Sequence, residues 1–258
     1  MQELKIIKIG GNVINNEKLL SDFLDDFAKL ESPKILVHGG GRAASELSVK
    51  MGISPNMING RRITDADTLE IITMVYGGKI NKNIVAQLQA RKCNSIGFSG
   101  ADGNTIVSVK RPVTTINYGF VGDVVEINTE TSRILLNNKI SPIFCAITHD
   151  ENGQLLNTNA DTIAAELAIA LSKSYRVALY YCFEKNGVLT DITDDDSVVE
   201  RIDEKIFEDL KREEIINEGM LPKIHNCLQA IKRGVNSVHI GNNAMPFNTN
   251  VKCTTFQQ

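Results

Sequence analysis

The sequence predicts an α/β fold in which helices cover a mainly parallel central sheet. Two observations carry this. Short β-rich runs ending in glycine alternate with segments of helical periodicity. The first two such runs, "LKIIKIG" and "KILVHGGG", are separated by a helix-sized segment, as a βαβ unit with parallel strands requires.

That connecting segment, "NEKLLSDFLDDFAKL", has apolar residues at Leu19, Leu20, Phe23, Leu24, Phe27 and Leu30, with acids on the opposite face. After "KILVHGGG", the good helix formers of "AASELSVKM" predict a helix behind Arg42. A longer helix is predicted over "TDADTLEIITMVYGGKINKNIVAQLQAR". Thr64 and Asp67 there resemble a capping box with Asp in place of Glu. "SIGFS", "TIVSVKR" and "SPIFCAI" continue the strands, and "YGFVGDVVEI", with glycines around a short apolar stretch, is read as a hairpin. "NADTIAAELAIALS" is a helix with Ile163, Leu167, Ile169, Ala170 and Leu171 apolar. "RVALYYCF" and "SVHIG" are late strands. The acidic run "ITDDDSVVERIDEKIFEDLKREEII" is partly helical and reads as a solvated face. No linker rich in Pro, Gly or Ser divides the chain, so one long mixed sheet is expected. An N-terminal lobe would span residues 1–172 and a C-terminal lobe 173–258.

Composition narrows the function. The 258 residues suffice for a substantial core, and 42% apolar with 23% charged is the mix of a soluble globular protein. A net charge of −3 offers no field for nucleic acid or an anionic membrane. No apolar run reaches the ~18 residues of a membrane span, and nothing reads as a signal peptide. The five cysteines include no C-x-x-C pair and are odd in number, which points to free thiols in a reducing cytoplasm. The four histidines are scattered, so no metal cluster is expected.

Glycines follow apolar strands three times: Gly10-Gly11, Gly39-Gly40-Gly41, and Gly100 with Gly103. At the carboxyl ends of strands in an α/β sheet, such glycines let backbone N–H groups approach an anion. One cluster alone marks no more than a turn; three favour a phosphate or carboxylate site. There is no G-x-x-x-x-G-K-[ST], no G-x-G-x-x-G at "GGGRAA", and no protein-kinase motif set. Lys8 in "IIKIGGN" would alone read as a stem packed at a strand end with its head in solvent, but two glycines behind it leave an anion-sized space. Lys223 follows a proline at a predicted helix start. Asn157, Asn159 and Asp161 cluster at another helix start, where Asn and Asp commonly cap; an Asp near two lysines would instead orient them. Arg62 is suited to clamp a carboxylate, and spacing alone does not choose between it and Arg61.

Taken in order, "IIKIGGN", "VHGGGR", "NGRRIT", "GGKINKN", "YGFVGDVVEI", "LLNTNADTIAAELA" and "GMLPKI" resemble the blocks of the N-acetylglutamate kinase branch of the amino acid kinase family, from residue 5 to about 240. The resemblance implies an open αβα sandwich around a mainly parallel sheet, with N-acylglutamate in the N-terminal lobe and ATP in the C-terminal lobe. It implies transfer of the γ-phosphoryl of ATP to the side-chain carboxylate, the second step of arginine biosynthesis, with Mg²⁺ carried by the nucleotide. Lys8 matches the lysine that contacts the transferring phosphoryl, Lys223 the one on the nucleotide side, and Asp161 the acid that positions both. Gly40, Gly41, Arg62 and Asn157 match the acylglutamate contacts, and the family pattern picks Arg62 over Arg61. Gly10, Gly11, Glu184, Lys185, Asn186, Gly187, Val188, Leu189, Ile215, Ile216 and Asn217 match the ATP side, Gly11 with its N–H on the γ-phosphate.

The match departs in two places. Phe183 and Glu184 stand where the family usually has a Ser or Thr and an Asp, beside the nucleotide. Ala146-Ile147-Thr148 stands where it usually reads Pro-Ile-Gly or Ser-Ile-Gly, in a segment that, like "FSGADG", leads toward the substrate pocket. The acyl group is therefore open, and succinyl competes with acetyl. An amino acid kinase acting on glutamate, aspartate or carbamate also fits the shared features, as does a non-catalytic sensor of nucleotide or amino acid. Lys8 lies too near residue 1 for the N-terminal helix of arginine-inhibited hexamers, so an arginine-insensitive homodimer is expected.

Overall fold

The structure, a computed structural model, describes residues 1–58, 61–213, 215 and 220–257. Thirteen strands are seen among them: β1 (Glu3–Ile9), β2 (Lys34–His38), β3 (Met57–Ile58), β4 (Arg61–Arg62), β5 (Ser95–Phe98), β6 (Ile106–Lys110), β7 (Gly122–Ile127), β8 (Ser141–Cys145), β9 (Ile147–His149), β10 (Leu155–Asn157), β11 (Arg176–Cys182), β12 (Ser237–Gly241) and β13 (Thr254–Phe256). The helices are α1 (Gly11–Ile14), α2 (Glu17–Lys29), α3 (Gly41–Lys50), α4 (Ala66–Ile72), α5 (Asn81–Ala90), α6 (Glu130–Asn137), α7 (Ala160–Leu171), α8 (Glu204–Arg212) and α9 (Leu221–Lys232), with a π-helical segment at Thr73–Ile80.

The main sheet has seven strands in the order β13-β12-β11-β1-β2-β8-β5. All its pairings are parallel except the edge pair β12–β13. The α/β, mainly parallel expectation holds. The single long sheet does not: β10-β9-β6-β7 form a separate four-stranded sheet, and β3–β4 a two-stranded hairpin. β2 and β8 are buried along their whole length, as strands covered on both faces are.

The chain order fixes where a ligand goes. From β1 the chain crosses to β2 on one side; from β11 it crosses to β12 on the other. With right-handed crossovers, α2 and α9 therefore lie on opposite faces of the sheet. The winding reverses between β1 and β11, and ligands bind at the carboxyl ends of strands at such a switch point. Lys8, one residue from the end of β1, pairs in register with Tyr181, one residue from the end of β11.

Local chemistry accounts for the helices. Asn16 caps α2 by accepting from Leu19 N, and its apolar stripe buries Leu20, Phe23, Leu24 and Phe27. In α7 the stripe Ile163, Leu167 and Leu171 is fully buried, and the helix packs on β1, β2 and β11. Three expectations are corrected. The cap of α4 is Asp65, which accepts from Thr68 N, because Thr64 is buried and bridged to Gly119. The long helix is broken by the π-helical turn, which the apolar spacing does not reveal. "YGFVGDVVEI" is not itself a hairpin; its second half is β7, paired antiparallel with β6.

Two imidazoles are enclosed. His38, fully buried at the end of β2, lies 2.9 Å from Gly39 O through Nδ1 and accepts from Asn81 Nδ2 at 3.0 Å through Nε2, which fixes the Nδ1–H tautomer. Burial pushes its pKa down to about 4 from the usual 6.5, against the raising effect of the Gly39 carbonyl. His239, stacked on Tyr180, is also lowered to about 4, by burial first and then by Lys5. Between pH 6.5 and 4 the unfolded chain therefore binds protons that the fold refuses. We expect the melting temperature to fall as pH drops through this window and His38→Gln to flatten part of that fall. A melting temperature flat between pH 6.5 and 5 would contradict this.

Candidate functional site

A cleft of about 670 Å³ opens at the switch point. Its walls come from the Gly39–Gly41 loop, β4, the π-helical segment, the starts of α7 and α9, and the ends of β10 and β11.

One end of the cleft is built on charges. Asp161 is the second residue of α7, and Asn159 caps that helix by accepting from the N–H groups of Asp161 and Thr162. Lys8 Nζ lies 2.7 Å from Asp161 Oδ1, and the lysine side chain is only 11% exposed. A β-carbon on Gly10 would lie 3.6 Å from Lys8 Nζ, so the glycine backbone runs beside the ammonium. Lys223, third residue of α9 behind Pro222, lines the same cleft. Cys227, one turn further along α9, feels both Asp161 and Lys223, although burial is the main cause of its raised pKa. Asp161 pairs with Lys8; among the described residues it makes no ion pair with Lys223, whose ammonium instead lies 4.3 Å from the centre of the Phe183 ring.

The other end is built for an anion. Arg62 is 8% exposed and donates through Nη2 to Gly41 O at 2.8 Å and Ser45 Oγ at 2.7 Å. Its Nη1 is buried and has no hydrogen-bond partner among the described residues. A buried donor left unpaired costs about 1–3 kcal/mol, which a ligand acceptor would recover. Asn157 donates Nδ2 to Thr64 Oγ1 at 3.0 Å and faces the cleft. Gly40 and Gly41 line it, and a β-carbon on Gly40 would lie 2.5 Å from Ile80 Cδ1 and 2.7 and 2.8 Å from Tyr76 ring carbons. The π-helical turn thus presses Tyr76 against the glycine loop, a role such turns often play at functional sites. Burial raises the Tyr76 pKa, and the neighbouring Arg62 partly offsets this. Beyond Arg62, the exposed Arg61 and the half-buried Arg111 also line the cleft; Asp123 grips Arg111 through Nε at 3.1 Å and Nη2 at 2.5 Å, which raises the guanidinium pKa.

The cleft thus gathers Gly40, Gly41, Arg62, Asn157, Asp161 and Lys223, with Lys8 joined through Asp161. Gly10 and Gly11 lie beside it, at the cap and first residue of α1. The stretch Glu184–Leu189 turns away. Lys185 pairs with Asp195 at 2.7 Å, Asn186 accepts from Asn242 Nδ2, a β-carbon on Gly187 would meet Thr254 Oγ1 at 2.6 Å, and Val188 N donates to Thr254 Oγ1. Leu189 bridges to Val198, and Ile215 packs on the core. Ile216 and Asn217 lie outside the described residues. Gly100 and Gly103, read with the other glycine clusters, are not at the cleft. Gly100 N donates to Ile147 O at 2.7 Å, and its missing side chain makes room for Ile106 O. Of Ala146-Ile147-Thr148, Ala146 alone lines the cleft. Sequence reasoning missed Tyr76, Arg111 and Asn226, which no motif marks.

The amino acid kinase family profile matches residues 3–242. The acetylglutamate kinase of Cytophaga hutchinsonii is 54% identical over 241 residues, 93% of this chain and 91% of that one. The acetylglutamate kinase of Parabacteroides distasonis is 51% identical over 93% of this chain and 94% of that one. A crystal structure from Streptococcus mutans superposes with a TM-score of 0.78 at 26% identity, covering 98% of both chains.

Because Tyr76 and Ile80 fill the space beside Gly40, Gly40→Ala overpacks the cleft wall. We expect a loss of about 1–3 kcal/mol in urea unfolding. A variant as stable as the parent would show that the ring gives way freely.

Proposed function

The chain belongs to the amino acid kinase family, and on that premise we propose that it transfers the γ-phosphoryl group of ATP to the side-chain carboxylate of N-acetyl-L-glutamate. The products are an acyl phosphate and ADP, the second step of arginine biosynthesis. The observation that carries the reading is one cleft that gathers the Lys8–Asp161 pair, Lys223 and the buried Nη1 of Arg62, which has no partner among the described residues.

In this reading a carboxylate oxygen of the substrate forms a bond to the γ-phosphorus while the bond to the bridging oxygen of ADP breaks. The nucleophile is already ionised, so no general base is needed, and the protein's work is positioning and charge stabilisation. Lys8 and Lys223 offset charge on the equatorial and leaving oxygens. Asp161 aims Lys8, and the Gly11 N–H would meet the γ-phosphate. Arg62 takes the α-carboxylate, helped by Asn157 and the Gly40-Gly41 backbone. We assign the acylglutamate to residues 1–172 and the nucleotide to residues 173–258, where the family resemblance gives 184–189 and 215–217 to ATP. No group of three or more His, Cys, Asp or Glu among the described residues is arranged to hold a metal. We therefore treat Mg²⁺ as part of the nucleotide substrate. We also propose a cytoplasmic homodimer, in keeping with five unpaired cysteines and the family resemblance; light scattering of the purified chain tests the dimer.

One observation favours a second acceptor. Arg61 and Arg111 line the same cleft as Arg62, which gives it more guanidinium groups than one α-carboxylate requires. An acyl arm ending in a carboxylate, as in N-succinyl-L-glutamate, would use another.

We expect Lys8→Ala and Lys223→Ala each to lower kcat on the order of 10²–10³-fold; near-normal turnover in either variant would contradict the assignment. Hydroxamate trapping of the acyl phosphate with N-acetyl-, N-succinyl- and free L-glutamate ranks the acceptors. If acetyl is correct, Arg111→Ala leaves kcat/KM for the preferred acceptor within about threefold. If succinyl is, the same change lowers it roughly tenfold or more.

A further inference from the structure

Phe183 is the residue that follows β11, and its N–H donates to Gly241 O at 2.8 Å, which pins it to the end of β12. Its ring is half-buried, lies 6.4 Å from that of Tyr181, and lines the cleft. Lys223 Nζ lies 4.3 Å from the ring centre and Lys8 Nζ 5.4 Å from it. Both ammonium groups that flank the reacting phosphoryl in the kinase reading thus sit within cation–π range of one aromatic ring.

The chemistry of that contact suits the site. Two like charges in one cleft must be held before the substrate's own negative charge arrives. A second carboxylate would hold Lys223, but it would occupy the ammonium's donors and cancel the charge the phosphoryl needs. A ring attracts a cation through its quadrupole, takes up little of its hydrogen-bonding capacity, and leaves its charge intact. We propose that Phe183 is a positioning residue for phosphoryl transfer, holding Lys223 and, more loosely, Lys8 in register while leaving their N–H donors free. This inference rests on the kinase reading.

The test replaces Phe183 with a series of ring-fluorinated phenylalanines, which weaken the quadrupole step by step at nearly constant shape, and adds Phe183→Leu. Turnover is measured with ATP and the preferred acceptor. We expect kcat to decline along the series, reaching roughly fivefold to tenfold below the parent in the most fluorinated variant and in Phe183→Leu, with KM for both substrates within about twofold. The ring-current shift of the Lys223 ε-protons, present in the parent, should vanish in Phe183→Leu. A kcat insensitive to fluorination, a fully active Phe183→Leu, or no ring-current shift in the parent would overturn the proposal. A parent that transfers no phosphoryl group to any acceptor would instead overturn the kinase reading, and the ring-current measurement separates the two failures.

Discussion

The site depends on one topological constraint, the reversal of winding between β1 and β11. Parallel pairing of these strands over six residues in register brings the ends of two distant segments side by side at one edge of the sheet. The charges follow from that placement. Lys8 leaves β1 there, Phe183 follows β11 there, and α7, packed across β1, β2 and β11, delivers Asp161 at its first turn. A break in the β1–β11 register would part Lys8 from Phe183. A one-residue slip would also exchange the two faces of the strand and send Lys8 away from Asp161.

The Lys8–Asp161 pair is a poor candidate for a stabilising element. A lysine only 11% exposed loses most of its hydration, and the attraction of one carboxylate commonly no more than balances that loss. Packing supplies the stability: Ile6, Ile7, Ile35, Leu36, Phe144, Ile163, Leu167 and Leu179 are all fully buried around the sheet. The core holds the pair in place. In the proposed reaction the pair in turn supplies charge already oriented where negative charge would develop, so little reorganisation is left for the reaction itself. The buried Nη1 of Arg62, without a partner among the described residues, follows the same logic, since a guanidinium fixed by two bonds through Nη2 has Nη1 held in place before any ligand arrives.

Much of this is legible in the sequence, and the parts that are not share a cause. β1, α2, β2, α7, β11 and β12 announce themselves by period and by terminal glycine, since each signal is local. Lys8, Asp161 and Lys223 stand out because each lies in a short block with punctuation around it, glycines in one case and a proline or an asparagine cap in the others. The π-helical turn stays hidden, because its apolar residues keep a spacing that an α-helix also satisfies. The cap falls on Asp65, one residue beyond the expected Thr64, because Thr64 looks equally able to cap until its burial against the 119–120 loop is known. Gly100 and Gly103 look like anion binders but serve close backbone packing. Tyr76, Arg111 and the ring of Phe183 act across long stretches of chain, and no local pattern encodes which distant group a side chain will meet.

This division also explains why the phosphoryl chemistry is easier to read than the acyl group. The phosphoryl end is made of strand ends and helix starts of the main sheet, whose positions the winding dictates. The end proposed for the acyl group is made of the β3–β4 hairpin, which carries Arg61 and Arg62, and of the small sheet's β6–β7 connection, which carries Arg111 and Val121. These pieces hang on the scaffold and can change length and charge without disturbing it. A fold of this kind can therefore keep one transfer reaction while exchanging the molecule that receives the phosphoryl. In the kinase reading the lysines thus sit on strand ends and helix starts of the main sheet, whereas Arg61, Arg62 and Arg111 sit on the appended hairpin and small sheet, where the choice of acceptor would be made.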